Sequence, residues 1–188
     1  MNATRADWSP STQVRIGGYG GQGIVLTGLL LGRAACLYDG KEAVLTQSYG
    51  PEARGGASST DVVIASHPID YPLVTEPDVL VIFFQEAYTK FRKLLKTNGV
   101  LIIESDLVRP DDQEEEIAAL PATRMAEALG HRIVANVVML GFLTAKTKIV
   151  SPESIEEAIR TTVKPKTVDL NLRAFEAGFK KDAIGLPS

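Results

Sequence analysis

Two glycine-rich segments constrain the fold of this chain most strongly, because each adjoins a predicted strand. The first, Gly-Gly-Tyr-Gly-Gly-Gln-Gly, occupies residues 17–23, and the second, Ser-Tyr-Gly-Pro-Glu-Ala-Arg-Gly-Gly, occupies residues 48–56. Glycine lets backbone N–H groups approach a ligand or another chain closely, and it permits positive φ. Neither segment contains a nucleophile paired with a base or a cluster of metal ligands. The two segments therefore predict part of a binding site, built from main chain.

The hydrophobic pattern predicts alternating strands and helices. Residues 14–16 form a short strand that runs into the first glycine segment, and residues 24–37 form an apolar, buried helix that Gly40 ends. No helix separates the next two strands, so we expect an antiparallel pair in a mixed sheet. The predicted class is a three-layer α/β/α fold with a mostly parallel, mixed sheet. Its further strands are 43–46, 58–65, 79–84 and 99–104, and its further helices are 87–95, one opened by Pro121, 136–147, one capped by Ser151-Pro152-Glu153, and 169–179.

The composition indicates one globular domain. Of the 188 residues 45% are hydrophobic, which is enough for one substantial core. We expect a flexible N-terminal segment at residues 1–13 and a single domain at residues 14–182. The net charge of −3 gives no basis for binding nucleic acid or an anionic membrane, and residues 1–13 contain no apolar run suited to a signal peptide or anchor. These features predict a soluble cytoplasmic protein.

The titratable and thiol side chains outside the glycine segments do not suggest a catalytic centre. Cys36 is the only cysteine, so this chain cannot supply the four thiolates of an iron–sulfur cluster or a zinc ribbon, and its apolar helix predicts a small core residue. His67 and His131 lack a nucleophile partner and are predicted to be surface or capping residues. The acidic run at residues 111–116 predicts a solvated turn or helix start, since no further metal ligands are spaced around it.

A stand-alone NAD(P) dehydrogenase is one alternative for the first segment. Gly18, Gly20 and Gly23 match the G-x-G-x-x-G spacing of dinucleotide-binding folds, between a strand and a helix. That fold also requires an acidic residue at the end of the second strand to bind the ribose hydroxyls. Asp39 and Glu42 lie before or at the start of that strand instead. Their position argues against a nicotinamide cofactor.

Arg54 makes the second segment a candidate anion site. Its guanidinium can hold a carboxylate or phosphate through two hydrogen bonds, and Gly55 and Gly56 would offer backbone N–H groups beside it. The alternative is that Glu52 and Arg54 pair with each other or with another loop and only shape the turn. From the residues alone, both interpretations stay open.

Four motifs together resemble the gamma subunit of 2-oxoacid:ferredoxin oxidoreductases. They are the two glycine segments, Ile-Asp-Tyr-Pro at residues 69–72, and Asn136 with Leu140-Gly141. The resemblance spans nearly the whole chain, and the second segment is most similar to the 2-oxoglutarate type. It implies a multi-subunit enzyme that decarboxylates a 2-oxoacid on thiamine diphosphate, passes electrons through iron–sulfur clusters to ferredoxin, and leaves the acyl group on coenzyme A. Thiamine diphosphate, magnesium and the clusters would then belong to partner subunits, and this chain would be inactive alone.

The same resemblance implies that the chain serves assembly and borders the coenzyme A side of the active site. The first segment would present backbone N–H groups and one amide side chain at a helix N-terminus, suited to a phosphate or to a partner's carboxylate. The residues in that role are Gly20, Gly21, Gln22 and Gly23.

The second segment would form the other half of this surface. Arg54, Gly55 and Gly56 would bind an anion, whereas Tyr49 would stack on an adenine or, as we favour, pack in a subunit interface. Asn136 is predicted to tie the start of its helix to a loop. Besides the accessory subunit, two functions therefore stay open: the stand-alone dehydrogenase and a nonenzymatic nucleotide-binding scaffold.

Overall fold

The computed structural model describes residues 11–48, 56–111 and 117–183 of the chain. Strands and helices alternate along most of this length. The strands in these residues are β1 (Ser11–Gly18), β2 (Glu42–Ser48), β3 (Ser58–Ala65), β4 (Val79–Ile82), β5 (Val100–Glu104) and β6 (Ile117–Leu120). The α-helices are α1 (Ile24–Arg33), α2 (Gln85–Phe91), α3 (Ala122–Ala128), α4 (Ala135–Thr147), α5 (Pro152–Thr162) and α6 (Val168–Ala183). A π-helical turn, Ala34–Tyr38, extends α1, and 3-10 turns lie at Arg92–Leu94, Arg132–Val134 and Pro165–Thr167.

The strands form one mixed sheet in the order β2-β3-β1-β4-β5-β6. β3 is antiparallel to both of its neighbours, whereas β1, β4, β5 and β6 run parallel to one another. The predicted antiparallel pair and the mixed sheet are confirmed. β6 was not predicted, because its sequence Ile-Ala-Ala-Leu is short and poor in the β-branched and aromatic residues that mark a strand.

α1 and α2 lie on opposite faces of this sheet. The chain passes from β1 through α1 toward one edge and from β4 through α2 toward the other, so right-handed connections place the two helices on opposite sides. The side chains of β4 alternate accordingly. Val79 and Val81 pack into the larger core with α1 and α3 to α6, and Leu80 and Ile82 pack into the smaller core with α2. The predicted three layers are therefore confirmed.

Two glycines let α4 and α6 cross at close range. A Cβ atom at Gly178 would lie 1.8 Å from the carbonyl oxygen of Val138, and one at Gly141 would lie 2.1 Å from the carbonyl oxygen of Phe175. Each glycine therefore faces the backbone of the other helix. As its apolar sequence predicts, α4 is buried along nearly its whole length. In the described residues no helix, α4 included, is both long and apolar enough to cross a membrane.

The N-terminal boundary of the sheet differs from the prediction. β1 begins at Ser11 and not at the predicted residue 14, and residues 11–13 pair with β3. The side-chain alternation of these three polar and small residues was too weak to mark a strand. The single domain at residues 14–182 stays a prediction.

The helix predicted at residues 24–37 is confirmed in position but is not buried throughout. Its α-helical part ends at Arg33, and the π-helical turn continues it to Tyr38, two residues before Gly40, whose φ is 64°. The prediction that Cys36 is a core residue is wrong. Ala34 and Ala35 at the start of the π-helical turn are buried, but the turn then reaches the surface, which leaves Cys36 exposed and Leu37 56% exposed.

The predicted helix starts at Pro121 and Ser151 are confirmed. Pro121 immediately precedes α3. The Ser151 hydroxyl accepts a hydrogen bond of 3.3 Å from the backbone N–H of Ser154, and Pro152 is the first helical residue of α5. Of the acidic run, residues 112–116 lie outside the described residues.

Candidate functional site at the carboxyl edge of the sheet

The carboxyl ends of β1 and β4 form the crevice in which an open α/β sheet usually binds its ligand. The two strands are parallel neighbours, and the helices that follow them pack on opposite faces, so a gap opens between the strand ends. Residues 19–23, here called the first glycine loop, follow β1 into this gap. Phe83 and Phe84 follow β4 on the other side of it. The loop therefore lies where the fold favours a binding site.

Gln22 shapes the first glycine loop from within. Its side-chain oxygen accepts a hydrogen bond of 2.6 Å from the backbone N–H of Tyr19, and its own backbone N–H donates to the Tyr19 carbonyl at 3.2 Å. Its side-chain nitrogen lies 3.5 Å from the Phe83 carbonyl oxygen, across the gap. The amide side chain expected to face a ligand thus has its oxygen engaged in holding the loop.

The glycines of the loop divide into an outward and an inward set. A Cβ atom at Gly20 or Gly21 would meet no atom within 4 Å, so both present bare backbone to the outside. Gly21 has a φ of 92°, a conformation that other residues adopt only with strain. Gly23, with a φ of 76°, turns inward, where a Cβ atom would lie 2.6 Å from the side chain of Asn136. The loop therefore leaves open backbone on one side and requires glycine for packing on the other.

Asn136 joins α4 to the loop. The side chain is 2% exposed, and its Nδ2 donates to the carbonyl oxygen of Gly23 at 3.2 Å. That oxygen also accepts hydrogen bonds from the backbone and the hydroxyl of Thr27 in the first turn of α1. The prediction that Asn136 ties the start of its helix to a loop is confirmed.

Tyr19 connects the loop to the opposite face of the sheet. Its ring stacks on Phe84 with a centroid distance of 3.5 Å, and its hydroxyl donates to Glu86 of α2 at 2.7 Å. This hydrogen bond, together with desolvation and the charge of the carboxylate, raises the pKa of Tyr19 above its ordinary value of 10.0. The sequence analysis did not single out Tyr19 or Glu86, because 67 residues separate them in the chain.

A pocket of about 280 Å³ opens beside the loop. One wall comes from the loop and the other from the 3-10 turn Arg132–Val134 and the start of α4. Ile133 and Leu107 on its lining are 80% and 37% exposed, so the pocket offers accessible apolar surface. The lining residues are Gly21, Gln22, Phe83, Leu107, Thr123, Arg132, Ile133 and Ala135.

The flanks of the second glycine segment end beside the first glycine loop. Ser59 pairs with both Ser48 and Gly17, so the point where β2 ends is level with the end of β1. Ser58 likewise pairs with Gly18. The segment thus leaves and rejoins the sheet at the same edge as the first loop. Of its predicted site residues, Gly56 is described, and Tyr49, Arg54 and Gly55 lie outside the described residues.

The acidic residues considered for binding a nicotinamide cofactor lie at the amino ends of the parallel strands, opposite the first glycine loop. Glu42 and Ser11 both pair with Ala65, which puts Glu42 beside the amino end of β1. Seven residues of β1, 12–18, separate this level from the glycine loop, or roughly 26 Å over the eight residue steps at 3.3 Å each. Asp39 is engaged as well, because its carboxylate accepts hydrogen bonds from the hydroxyls of Ser151 and Ser154 at 2.7 and 2.5 Å.

Burial raises the pKa of Asp39, but hydrogen bonds from Ser154 and Ser151, together with the charge of Lys41, lower it more strongly. The net effect places this pKa below its ordinary value of 3.8. Asp39 is therefore a structural carboxylate that links the end of the first helical segment to the start of α5.

The carboxyl edge also depends on buried charges that the sequence analysis missed. Arg15 and Asp61 form a two-fold hydrogen-bonded ion pair, with distances of 2.9 and 2.6 Å, and are 8% and 6% exposed. Glu104, which is fully buried, accepts from the backbone N–H of Thr123 at 2.7 Å and so joins β5 to α3. Each pair involves strands or loops distant in sequence, so no local pattern could have shown it.

The two histidines lie at the surface, as predicted. His67 and His131 are both exposed, and the Nδ1 atom of His67 is 3.0 Å from the carbonyl oxygen of Pro68. Among the residues that the structure describes, no group of three or more histidine, cysteine, aspartate or glutamate side chains is arranged to hold a metal ion.

The sequence profile of the pyruvate ferredoxin/flavodoxin oxidoreductase family matches residues 13–181. The chain belongs to this family. It is 52% identical over 172 residues to the 2-oxoglutarate synthase subunit KorC of Methanocaldococcus jannaschii, a match that covers 89% of this chain and 92% of the relative. The KorC subunit of Methanothermobacter thermautotrophicus is 51% identical, over 88% of this chain and 92% of that one. The ketoisovalerate oxidoreductase subunit VorA of the same organism is 37% identical, and the match covers 90% of this chain but 36% of VorA.

Solved structures of this family share the fold. The gamma subunit of a keto/oxoacid ferredoxin oxidoreductase from Geobacter sulfurreducens superposes with a TM-score of 0.86 at 40% identity, covering 94% of this chain and 98% of that subunit. The 2-oxoglutarate:ferredoxin oxidoreductase from Magnetococcus marinus, solved with 2-oxoglutarate, coenzyme A and succinyl-CoA bound, superposes with a TM-score of 0.82 at 22% identity. That match covers 96% of this chain and 32% of the longer one. The resemblance inferred from the four sequence motifs is therefore confirmed.

Proposed function

We propose that this chain is the gamma subunit of a 2-oxoglutarate:ferredoxin oxidoreductase. The complete enzyme would convert 2-oxoglutarate, coenzyme A and oxidised ferredoxin to succinyl-CoA, carbon dioxide and reduced ferredoxin. The observation that carries the proposal is the identity of about half of all residues with KorC chains of 2-oxoglutarate synthase, over nearly the full length of both. The ketoisovalerate-type relatives are 37% identical, and the match covers about a third of their length.

The chemistry would be divided among the subunits. The single cysteine of this chain cannot ligate an iron–sulfur cluster, so clusters would reside on partner subunits together with thiamine diphosphate and magnesium. Electrons would reach ferredoxin through those partners. This chain would contribute to assembly and would form one side of the coenzyme A site. The cytoplasmic location expected from the sequence belongs to the same proposal.

The described residues of the crevice suit one part of coenzyme A. The open backbone at Gly20 and Gly21 precedes α1, and a helix N-terminus favours a phosphate. Leu107 and Ile133 offer an exposed apolar lining for the pantetheine arm, and Arg132 supplies a cation on the same rim. Partner subunits would supply the remaining contacts with the coenzyme.

The second glycine segment would complete this side of the site. Its flanks lie level with the first loop, so Arg54 and Gly55 would be carried by a loop that starts and ends within reach of the same ligand. Gly56 would add a backbone N–H group, and Tyr49 would contact the adenine or a partner subunit. These roles are expectations from the sequence that the neighbouring strand ends support.

Reconstitution with the partner subunits of the same genome tests the function. The complex should reduce ferredoxin with 2-oxoglutarate and coenzyme A, and it should turn over pyruvate and 2-oxoisovalerate much more slowly. The isolated chain should show no turnover, even with thiamine diphosphate, magnesium, coenzyme A and ferredoxin added. A complex that prefers another 2-oxoacid would refute the substrate assignment. Tight binding of NAD(P) by the isolated chain in calorimetry would favour the dehydrogenase.

A matched pair of glycine variants tests the role of the first glycine loop. Gly21 and Gly40 both have positive φ, at 92° and 64°, and a Cβ atom at either would meet nothing within 4 Å. Alanine at each position should therefore cost a similar backbone strain of about 1–2 kcal/mol. Only Gly21→Ala should weaken coenzyme A binding by the complex, measured by calorimetry, because Gly40 lies at the opposite edge of the sheet. Equal binding by both variants would show that the loop makes no close contact.

A further inference from the structure

The pocket beside the first glycine loop has two walls that come from distant parts of the chain. Gly21 and Gln22 form one wall, and the other consists of the turn Arg132–Val134 with Ala135. Neither wall is a strand of the sheet, so the sheet does not fix the distance between them. The residue that joins them is Asn136, whose side chain reaches Gly23 across 113 residues of sequence.

The contact between Asn136 and Gly23 is both a hydrogen bond and a close packing contact. The Nδ2 atom donates to the Gly23 carbonyl at 3.2 Å. A Cβ atom on Gly23 would lie 2.6, 2.7 and 3.1 Å from the Nδ2, Cγ and Cβ atoms of Asn136, so no space is left between the two residues. The backbone of the loop therefore rests directly on this side chain.

The other buried polar side chains of α4 behave differently. Thr144 and Thr147 are 2% and 5% exposed, and each hydroxyl donates to a carbonyl of its own helix, at Leu140 and Leu143, with a distance of 2.8 Å. Such bonds satisfy a hydroxyl locally and position no other element. Asn136 instead donates a hydrogen bond from its side chain to the Gly23 carbonyl oxygen in the loop.

We propose that Asn136 is a positioning residue that sets the width of the pocket, by fixing the first glycine loop relative to the start of α4. This inference rests on the proposed function in one respect, namely that the ligand held at the loop is coenzyme A. Asn136 does not itself contact the ligand, because it is 2% exposed and does not line the pocket.

Two substitutions separate the hydrogen bond from the packing contact. Asn136→Asp keeps the size and shape of the side chain but places a carboxylate oxygen opposite the Gly23 carbonyl oxygen, where two acceptors repel each other. Asn136→Ala removes both contacts and leaves a space under the loop. Thr147→Val is the matched control, since it removes a buried hydroxyl from the same helix at a distance from the loop.

Amide hydrogen exchange in the full-length isolated chain tests the contact between Asn136 and the loop without a measurement of activity. In both Asn136 variants the amide of Thr27, which donates to the Gly23 carbonyl, should exchange about tenfold faster, the change expected from the loss of a buried hydrogen bond. In Thr147→Val it should exchange as in the unmodified protein. Unchanged exchange in Asn136→Ala would overturn the inference.

Steady-state kinetics of the reconstituted complex test the effect on the pocket. We expect the KM for coenzyme A to rise about tenfold in Asn136→Asp, while kcat at saturating coenzyme A and the KM for 2-oxoglutarate stay within about twofold, because a positioning contact acts on the binding of one substrate. Thr147→Val should leave all three parameters unchanged. Faster exchange combined with an unchanged KM for coenzyme A would also overturn the inference.

The two hypotheses fail in different ways. An unmodified complex without 2-oxoglutarate turnover would remove the proposed function, and the exchange measurement would still decide whether Asn136 holds the loop. The positioning role would be refuted if the complex is active but neither Asn136 variant changes the exchange of the loop or the KM for coenzyme A. The proposed function would then still hold.

Discussion

Gly178→Ala should destabilise the protein, although alanine is the better helix former. Inside a helix, replacing glycine by alanine favours folding by about 0.5–1 kcal/mol. At Gly178, however, the new Cβ atom would lie 1.8 Å from the Val138 carbonyl oxygen, whereas ordinary van der Waals contact begins at 3.4 Å. α4 and α6 must therefore separate by about 1.6 Å at their crossing. The position of the Cβ atom is fixed by the backbone of α6 and the carbonyl belongs to the backbone of α4, so no side-chain rotation relieves the overlap.

The cost of this separation exceeds the gain in helix propensity. A gap of about 1 Å already removes up to half of the dispersion energy between packed atoms. Overpacking of a core costs about 1–3 kcal/mol, and occasionally more, and a backbone clash belongs at the upper end of that range. After the helix gain is subtracted, we expect a net loss of about 2 kcal/mol or more. For a chain of this length the melting temperature should fall by roughly 4–8 °C or more.

Gly32→Ala is the matched control for this prediction. Gly32 also lies in a helix, but a Cβ atom there would meet its nearest neighbour, the Cγ1 atom of Val62, at an ordinary 3.8 Å. Alanine should therefore stabilise the protein by about 0.5–1 kcal/mol at this position. Thermal and urea unfolding, both followed by circular dichroism, would measure the two variants. If Gly178→Ala were as stable as the unmodified protein, the inferred close crossing of α4 and α6 would be wrong.

Three further predictions concern charged residues. Arg15→Met should lower the free energy of unfolding, measured in urea, by about 3–5 kcal/mol, because it leaves Asp61 buried without its partner. Adding Asp61→Leu should recover most of this loss. A double variant as unstable as the single one would contradict the reasoning. Since the pKa of Asp39 is lowered on folding, its contribution to stability should be complete above about pH 4 and lost as the pH falls through the lowered pKa. Asp39→Asn should therefore flatten the dependence of stability on pH in that range, and an unchanged slope would show that the carboxylate is not stabilised. Arg54→Ala should raise the KM for coenzyme A about ten- to a hundredfold if it binds a phosphate, or weaken subunit assembly if it binds a partner carboxylate, and a variant normal in both respects would make Arg54 a loop residue only.

The sequence predicted the sheet and most helices because burial leaves a regular pattern in the chain. The strands at residues 79–84 and 99–104 are continuous apolar runs, which a strand covered on both faces requires, and both were found within two residues of their ends. β6 was not predicted because its alanines do not give a clear alternation of apolar and polar side chains. The exposure of Cys36 was missed because composition does not show that the helix changes to a π-helical turn at Ala34.

The candidate site was predicted only as far as it is built from consecutive residues. The first glycine loop is a local pattern, so it could be predicted directly. The second wall of the pocket could not, because Arg132 and Ile133 reach the loop only through the packing of α4 against α1. Tyr19 and Glu86 meet for a similar reason, since β1 and β4 must first become neighbours. Contacts of this kind depend on the assembled sheet.

The position of β1 also bears on how the chain folds during synthesis. β1 is a central strand, yet both of its neighbours, β3 and β4, follow it by some forty residues or more. The larger core joins Leu30 of α1 to Phe175 of α6, so its last contributors are translated long after its first. At 5–20 residues per second, this interval lasts roughly 7–30 s. During that time the larger core lacks its last helices, and the nascent chain should therefore depend on chaperones to avoid aggregation.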